Sequence, residues 1–184
     1  MLKSNVLKTL RNEGRIVFKS NFLKDLSHTE AYEFIQHCHR RKFNAGEYIY
    51  HQNDPGNGMY FLEDGQVELI VEKENDNVNE SKSAFILDPP ECFGNLSVSY
   101  EMRRMSSAKA LSDVQVLGFF SSDLETLQKR YPKIALKFLN EVNKSLAKQL
   151  QATLMALVQS SDIADAYRLQ FETYYADNDK KAFD

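Results

Sequence analysis

The spacing of hydrophobic positions changes twice along the 184 residues of the chain. As far as residue 41, apolar side chains recur every three or four residues, the spacing of one face of a helix. Residues 42–120 carry short β-branched or aromatic runs, and helical spacing returns from residue 121 onward. This order predicts N-terminal helices, then a β-domain, then C-terminal helices, which together make an α+β fold.

Two helices are predicted before the β-region. Apolar residues within 2–12 predict a short amphipathic helix that ends at Gly14, and packing on the domain is favoured over a membrane-surface role. Ser27 and Glu30 have the spacing of a capping box, which satisfies two backbone donors at the start of a helix. This second helix is expected to run through about Arg40.

The β-region is divided by turn signals at intervals of roughly ten residues. Gly46, the segment 53–58 and the Asp64-Gly65 pair separate its runs, and residues 72–83 are polar enough to form an exposed hairpin loop. The runs lie at residues 48–50, 59–62, 67–71, 84–87 and 114–120. Short strands at this spacing predict antiparallel β-structure that closes into a sandwich or barrel.

A long helix is predicted after the β-region. Ser122 and Glu125 mark a short helix to Arg130, and leucines and other apolar residues then repeat without interruption from 132 to about 158. Such a helix is roughly 40 Å long at about 1.5 Å per residue, more than one small β-domain needs for cover. We therefore expect a homodimer through residues 132–158, the alternative being a helix that packs only on its own barrel.

Composition narrows the function classes. The net charge of −3 disfavours non-specific binding to nucleic acid, and the tail at 160–184 is too short and too acidic for a DNA-reading domain. No apolar run reaches the length of a membrane span, so a cytoplasmic protein is expected. Cys38 and Cys92 are far apart and are interpreted as free buried thiols. Three of the four histidines precede the β-region, which disfavours a metal-dependent enzyme on a β-barrel.

The candidate chemistry lies at residues 93–110, FGNLSVSYEMRRMSSAKA. A Phe-Gly turn, small serines and adjacent arginines are typical of a backbone cradle for a phosphate group. On charge alone, Arg104 could equally be a surface residue paired with Glu101. The segment therefore raises the question of whether a phosphate is bound there.

The first half of the β-region resembles the cyclic-nucleotide-binding domain family, to which the catabolite activator protein and the regulatory subunits of protein kinase A belong. The family pattern is approximately F-x-x-G-E-x-I-x-x-Q-G-D-x-G-x-x-M/F-Y-x-I-x-x-G-x-V. The sequence matches it at Phe43, Gly46, Glu47, Ile49, Gln52, Asp54, Gly56, Met59, Tyr60, Gly65 and Val67. Asn53 replaces one turn glycine, and asparagine also tolerates a left-handed backbone. The resemblance covers about residues 18–158 and implies an antiparallel β-roll, jelly-roll-like, flanked by N-terminal helices and a long C-terminal helix.

The second half resembles the phosphate-binding cassette of that family, F-G-E-L-A-L followed by R-A/S-A/S-T. The corresponding ligand-binding residues are Gly94, Asn95, Leu96, Ser97, Arg104, Met105, Ser106 and Ser107. The resemblance implies that Arg104 pairs with the cyclic phosphate and that the backbone amide of Ser97 approaches the same group. Asn95 replaces the glutamate that accepts the ribose 2′-hydroxyl proton, and Met105 adds bulk at a position that is usually small.

The resemblance implies a ligand-sensing module. Because no DNA-reading domain is expected after the long helix and the histidines do not cluster on strands, we expect a stand-alone, non-enzymatic regulator without a metal or cofactor of its own. Its ligand is expected to be cyclic AMP, cyclic GMP or a related small phosphate-bearing effector, bound weakly and relayed through the C-terminal helix to an unknown protein partner. The alternative is a non-binding fold kept as a dimerisation or interaction scaffold. We divide the chain into an N-terminal extension (1–17), the β-roll domain (18–130), the long dimerisation or lid helix (131–159) and the acidic helical tail (160–184).

Overall fold

A computed structural model of the chain describes residues 20–72, 82–98 and 100–160. The helix predicted before Gly14, most of the loop predicted at 72–83 and the acidic tail lie outside the described residues. Within them, no helix is both long enough and apolar enough to cross a membrane.

The described segments form short strands framed by helices. The helices are α1 (His28–Ile35), the 3-10 turn η1 (Asn95–Ser97), α2 (Ser121–Arg130) and α3 (Pro132–Ser160). The strands are β1 (His39–Phe43), β2 (Tyr48–Tyr50), β3 (Pro55–Gly56), β4 (Gly58–Asp64), β5 (Val67–Glu72), β6 (Lys82–Leu87), β7 (Cys92–Phe93), β8 (Met102–Arg103), β9 (Ser107–Ala110) and β10 (Val114–Phe120).

Two antiparallel sheets form the β-roll. One has the strand order β1-β10-β4-β7 and the other the order β2-β9-β5-β6, while β3 and β8 pair separately. Because strands distant in sequence are neighbours in both sheets, the cassette residues between β7 and β9 are placed beside the turn that precedes β4. The predicted α+β fold with an antiparallel roll and a long C-terminal helix is confirmed.

The start of α1 is confirmed, but its predicted end is wrong. The Ser27 hydroxyl accepts a hydrogen bond from the Glu30 amide at 3.3 Å, and the Glu30 carboxylate accepts one from the Ser27 amide at 2.8 Å. The helix ends at Ile35, and His39–Phe43 is a strand paired with β10. Four of the five residues of this strand are exposed, so its sequence lacks the apolar alternation that would have indicated a strand.

A cluster of phenylalanine rings joins the helices to the roll. Phe34 of α1 lies 6.0 Å from Phe61 and 4.6 Å from Phe119, measured between ring centroids. Phe138 of α3 lies 5.0 Å from Phe34, and all four side chains are fully buried. Aromatic burial of this size is a dominant stabilising term, so the first turns of α3 are fixed against the β-roll.

Two ion pairs connect the N-terminal segment to the same part of α3. Lys137 Nζ lies 2.7 Å from a carboxylate oxygen of Glu30, and Lys24 Nζ lies 2.9 Å from one of Glu141. The hydrogen bond from Lys137, together with that from the Ser27 amide, lowers the pKa of Glu30 to about 2. Because Glu141 is only 4% exposed, Lys24 compensates a buried charge.

The chain divides into two compact units, Met1–Val142 and Asn143–Asp184. The 29-residue helix α3 belongs to both and begins with Pro132, whose missing amide donor is tolerated in a first turn. In the second unit, the Thr153 hydroxyl donates to the carbonyl oxygen of Gln149 at 2.9 Å.

Both cysteines, Cys38 and Cys92, are half-buried and free.

Candidate anion-binding site

The cassette begins with a left-handed turn at Gly94. Strand β7 ends at Phe93, Gly94 has φ +72°, and the 3-10 turn η1 follows directly. A Cβ atom at Gly94 would lie 2.5 Å from Arg104 Nη1 and 3.2 Å from the carbonyl oxygen of Gly58. The turn therefore requires glycine for its backbone angle and for the close approach of the arginine.

Backbone hydrogen bonds fix Arg104 between β8 and β9. Its amide donates to the carbonyl oxygen of Asp54 at 2.9 Å, and its carbonyl oxygen accepts from the Asn53 amide at 2.8 Å. Asn53 has φ +68°, the left-handed conformation expected where the family pattern has glycine. The turn before β3 thus positions the arginine although some 50 residues separate the two in sequence.

The guanidinium of Arg104 is held inside the roll by one of its nitrogens. Nη1 donates to the carbonyl oxygen of Gly58 at 2.9 Å and of Gly94 at 3.3 Å, and lies 3.4 Å from the Ser97 hydroxyl. The residue is only 5% exposed. Three partners on one nitrogen fix the orientation of the planar group.

An aromatic platform supports the same guanidinium. Its central carbon lies 4.4 Å from the ring centroid of Tyr50 and 5.9 Å from that of Tyr60. Burial raises the pKa of the Tyr50 phenol, partly offset by the nearby Arg104 charge and a hydrogen bond with Ser106. Sequence reasoning missed Tyr50, because no local signal shows that this strand residue lies beneath an arginine 54 positions later.

The opposite edge of the guanidinium has no hydrogen-bond partner among the described residues. Nε is buried without a hydrogen bond, and the described residues provide neither a partner for Nη2 nor a carboxylate that pairs with Arg104. The surface pair with Glu101 considered from the sequence is thus absent. A buried cation without a counter-charge is costly, and the Nε–Nη2 edge has the geometry that binds two oxygens of an oxyanion.

Asn95 is the second unsatisfied polar group of the cassette. Its Nδ2 atom is buried and makes no hydrogen bond to the described residues. Only two buried side-chain atoms in the described part of the chain lack a partner in this way, this one and Arg104 Nε. Buried polar groups are nearly always hydrogen-bonded, and both exceptions among the described residues lie in this cassette.

The remaining predicted site residues have different environments. Ser97 is buried against Arg104, Leu96 lies in η1, and Ser106 contacts Tyr50. Ser107 is turned to the other face of its strand, where its hydroxyl accepts from the Gln52 amide at 2.8 Å. Met105 is 66% exposed, so its bulk does not press on the guanidinium.

The sequence of the β-roll matches a known family model. Residues 40–131 match the family model described as cyclic nucleotide-binding domain, which is half of the chain. The chain belongs to the cyclic nucleotide-binding domain family.

Relatives in sequence include a receptor protein and a kinase regulatory subunit. The cyclic AMP receptor protein of Thermus thermophilus is 30% identical over 101 residues, which are 55% of this chain and 45% of that protein. The cAMP-dependent protein kinase regulatory subunit of Emericella nidulans is 35% identical over 75 residues, 41% of this chain and 17% of that subunit. The chain thus spans less than half of the length of each of these two relatives.

Solved structures show the same fold. The catabolite activator protein of Thermus thermophilus superposes with a TM-score of 0.66 at 26% identity, covering 76% of this chain and 62% of the other. The N-terminal domain of a transcriptional regulator from Streptomyces coelicolor gives a TM-score of 0.65 at 22% identity, covering 75% and 94%.

Two glycines allow the contact between Gly94 and Arg104 to be tested separately from backbone strain. Gly94→Ala should lower the free energy of unfolding by about 1–2 kcal/mol for the left-handed backbone, and further for displacement of the guanidinium. Gly46→Ala is the matched control, because Gly46 has φ +90° and no atom within 4 Å of a Cβ. Urea unfolding measures both losses. Equal losses for the two variants would contradict a tight contact at Gly94.

Proposed function

We propose that the chain is a non-enzymatic sensor that binds a cyclic nucleotide, with the cyclic phosphate held by Arg104. The observation that carries the proposal is the buried guanidinium whose Nε–Nη2 edge lacks a partner among the described residues. Its relatives in sequence support it, since these include a cyclic AMP receptor protein and cGMP-dependent protein kinases.

The cyclic phosphate fits this edge by charge and by shape. A cyclic phosphodiester carries one negative charge and two non-bridging oxygens, which match two parallel N–H donors. Because Nη1 is already anchored on Gly58 and Gly94, binding needs little reordering of the side chain. The Ser97 amide donates to the carbonyl oxygen of Gly94 at 3.2 Å, so Arg104 is the donor that we assign to the phosphate.

The ribose is expected to be held less well than the phosphate. Asn95 occupies the position at which the family pattern has glutamate, and a neutral amide forms a weaker hydrogen bond with a hydroxyl than a carboxylate does. The unpartnered Nδ2 of Asn95 still offers a donor to an oxygen of the ligand. We therefore propose weak binding of cyclic AMP or cyclic GMP.

Ser97 connects the site to the helices of the first unit. Its hydroxyl lies 3.4 Å from Arg104 Nη1, and the residue also lines a cavity of about 350 Å³ together with Leu124 of α2 and Leu139 of α3. Ligand binding that shifts η1 would therefore alter packing at the start of α3. We propose that this helix relays binding to a protein partner.

Dimerisation through α3 is part of the proposal. Leu150 and Met155 are 48% and 59% exposed, although both are large and apolar. Such exposure on a 29-residue helix favours a second copy as its partner.

The alternative is a scaffold that binds no nucleotide. The observation that favours it is Asn95 in place of the acidic ribose ligand, together with an arginine already bonded to two carbonyl oxygens. In that case Arg104 would stabilise the cassette and nothing else.

Arg104→Gln should weaken binding strongly, because it removes the buried charge that pairs with the phosphate. We expect isothermal titration with cyclic AMP and cyclic GMP to show a loss of at least about 100-fold in affinity, as for truncation of a buried charge pair. Arg103→Gln is the matched control, since Arg103 is exposed and donates to the carbonyl oxygen of Asn53. Absence of heat and of a thermal shift for the unaltered protein at millimolar nucleotide would instead favour the scaffold.

Asn95→Glu should strengthen binding by restoring a charge-assisted hydrogen bond to the 2′-hydroxyl. The expected gain is about five- to tenfold in affinity for cyclic AMP, corresponding to about 1 kcal/mol. The gain should disappear with 2′-deoxy cyclic AMP, which lacks the hydroxyl. An equal gain for both nucleotides would show that residue 95 does not contact the ribose.

Leu150→Lys should shift the protein from dimer to monomer in analytical ultracentrifugation, because it places a charge in the proposed helix seam. Gln149→Lys adds the same charge at a neighbouring exposed position and should leave the dimer intact. If the unaltered protein is a monomer, or if both variants dissociate the dimer alike, dimerisation through Leu150 of α3 is refuted.

A further inference from the structure

A pair of hydroxyl groups lies beside the guanidinium of Arg104. The ring centroid of Tyr50 is 4.4 Å from the central carbon of the guanidinium. The phenol oxygen of Tyr50 is hydrogen-bonded to the side chain of Ser106, which follows Arg104 by two residues. Arg104 is buried, whereas Tyr50 and Ser106 are half-buried, so the two hydroxyl-bearing residues are closer to the solvent than the charge is.

The Tyr50 hydroxyl keeps a hydrogen that a ligand can accept. The hydrogen bond with Ser106 lowers the pKa of the phenol, so the phenol oxygen accepts this bond and Ser106 donates it. Burial nevertheless raises the pKa of Tyr50 above its ordinary value, and the hydroxyl is therefore protonated at neutral pH. None of the described residues accepts the phenol hydrogen.

The ring that carries this hydroxyl is held by its neighbours. Tyr60 lies 6.0 Å and Phe93 6.1 Å from the Tyr50 ring, measured between centroids. The backbone of Tyr50 pairs with Ala108 of β9. A donor fixed in this way loses little conformational freedom when a ligand binds, so its hydrogen bond adds efficiently to affinity.

A phosphate on the free edge of Arg104 comes within reach of this donor. The phenol oxygen projects from a ring that already contacts the guanidinium, so the hydroxyl and the Nε–Nη2 edge lie on neighbouring sides of one small volume. A phosphate oxygen accepts more than one hydrogen bond, and it can receive one from the arginine and one from the phenol. A single hydroxyl on one side of the guanidinium reaches only one of the two non-bridging oxygens.

We propose that the Tyr50 hydroxyl, oriented by Ser106, donates a hydrogen bond to one of the two non-bridging oxygens of the bound phosphate. The inference rests on the proposed function, since it requires the phosphate at Arg104. The Nε–Nη2 edge alone gives each oxygen one donor and treats the two alike. Tyr50 makes them unequal and is a specificity-determining residue for the phosphate.

Tyr50→Phe tests the inference, because it removes the hydroxyl and keeps the ring beneath Arg104. The probes are cyclic AMP and its two phosphorothioate diastereomers, each of which has sulfur in place of one non-bridging oxygen. Sulfur is a weak hydrogen-bond acceptor, so only the diastereomer that keeps oxygen opposite Tyr50 benefits from the hydroxyl. In isothermal titration of the full chain, Tyr50→Phe should weaken cyclic AMP and this diastereomer about fivefold and leave the other unchanged.

Two further variants complete the experiment. Tyr48→Phe is the matched control, because it removes a phenol hydroxyl from the same strand, where the ring stacks on His51 at 4.3 Å and contacts Lys109. It should leave the affinity ratio of the two diastereomers unaltered. Ser106→Ala removes the group that orients Tyr50 and should change the ratio in the same direction as Tyr50→Phe, but by less.

The outcomes separate the inference from the proposed function. A diastereomer ratio that changes by at least about threefold in Tyr50→Phe, and not in Tyr48→Phe, supports the inference. An unaltered ratio in Tyr50→Phe, with or without an equal loss of affinity for both diastereomers, overturns it and leaves the phosphate site intact. An equal change in Tyr48→Phe also overturns it, and an unaltered ratio in Ser106→Ala overturns the role of Ser106. No binding by the unaltered protein overturns both the inference and the proposed function.

Discussion

The structure of the cassette depends on the side chain of Arg104. It reaches from the connection between β8 and β9 to the turn at Gly94 inside the roll. Arg104 is buried between the carbonyl oxygens of Gly58 and Gly94 on one edge and the ring of Tyr50 on one face. Carbonyl dipoles and a π-face stabilise a cation without neutralising it. The fold therefore supports the guanidinium while its charge remains available to an anion.

Several sequence features follow from that arrangement. Gly94 leaves room for Nη1, and Gly56 leaves room for Ser97, since a Cβ atom there would lie 2.4 Å from the Ser97 hydroxyl. Asn53 adopts the left-handed turn that hydrogen-bonds the backbone of Arg104. Gly94 and Gly56 are thus explained by close packing around Arg104 and Ser97, and Asn53 by its backbone hydrogen bond. Ser97 also lines a cavity together with Leu124 of α2 and Leu139 of α3.

Much of the fold could be predicted from local patterns, and the chemistry of the site only in part. Strand β10 was predicted with its observed limits and α3 within two residues, because both have strong periodicity. Strand β1 could not be found, since its exposed polar residues form a strand only through pairing with β10. The spacing of the cassette indicated Arg104, but its burial, the Tyr50 platform and the unpartnered Nε depend on contacts between distant strands.

The ligand that we propose for the Nε–Nη2 edge of Arg104 is the phosphate of a cyclic nucleotide. A crystal structure of the protein grown with cyclic AMP tests it most directly. We expect two non-bridging oxygens of the phosphate within about 3 Å of Nε and Nη2, with Nη1 still bonded to Gly58 and Gly94. A nucleotide bound with its phosphate elsewhere, or an Arg104 edge that faces only protein and solvent at saturating nucleotide, would contradict it.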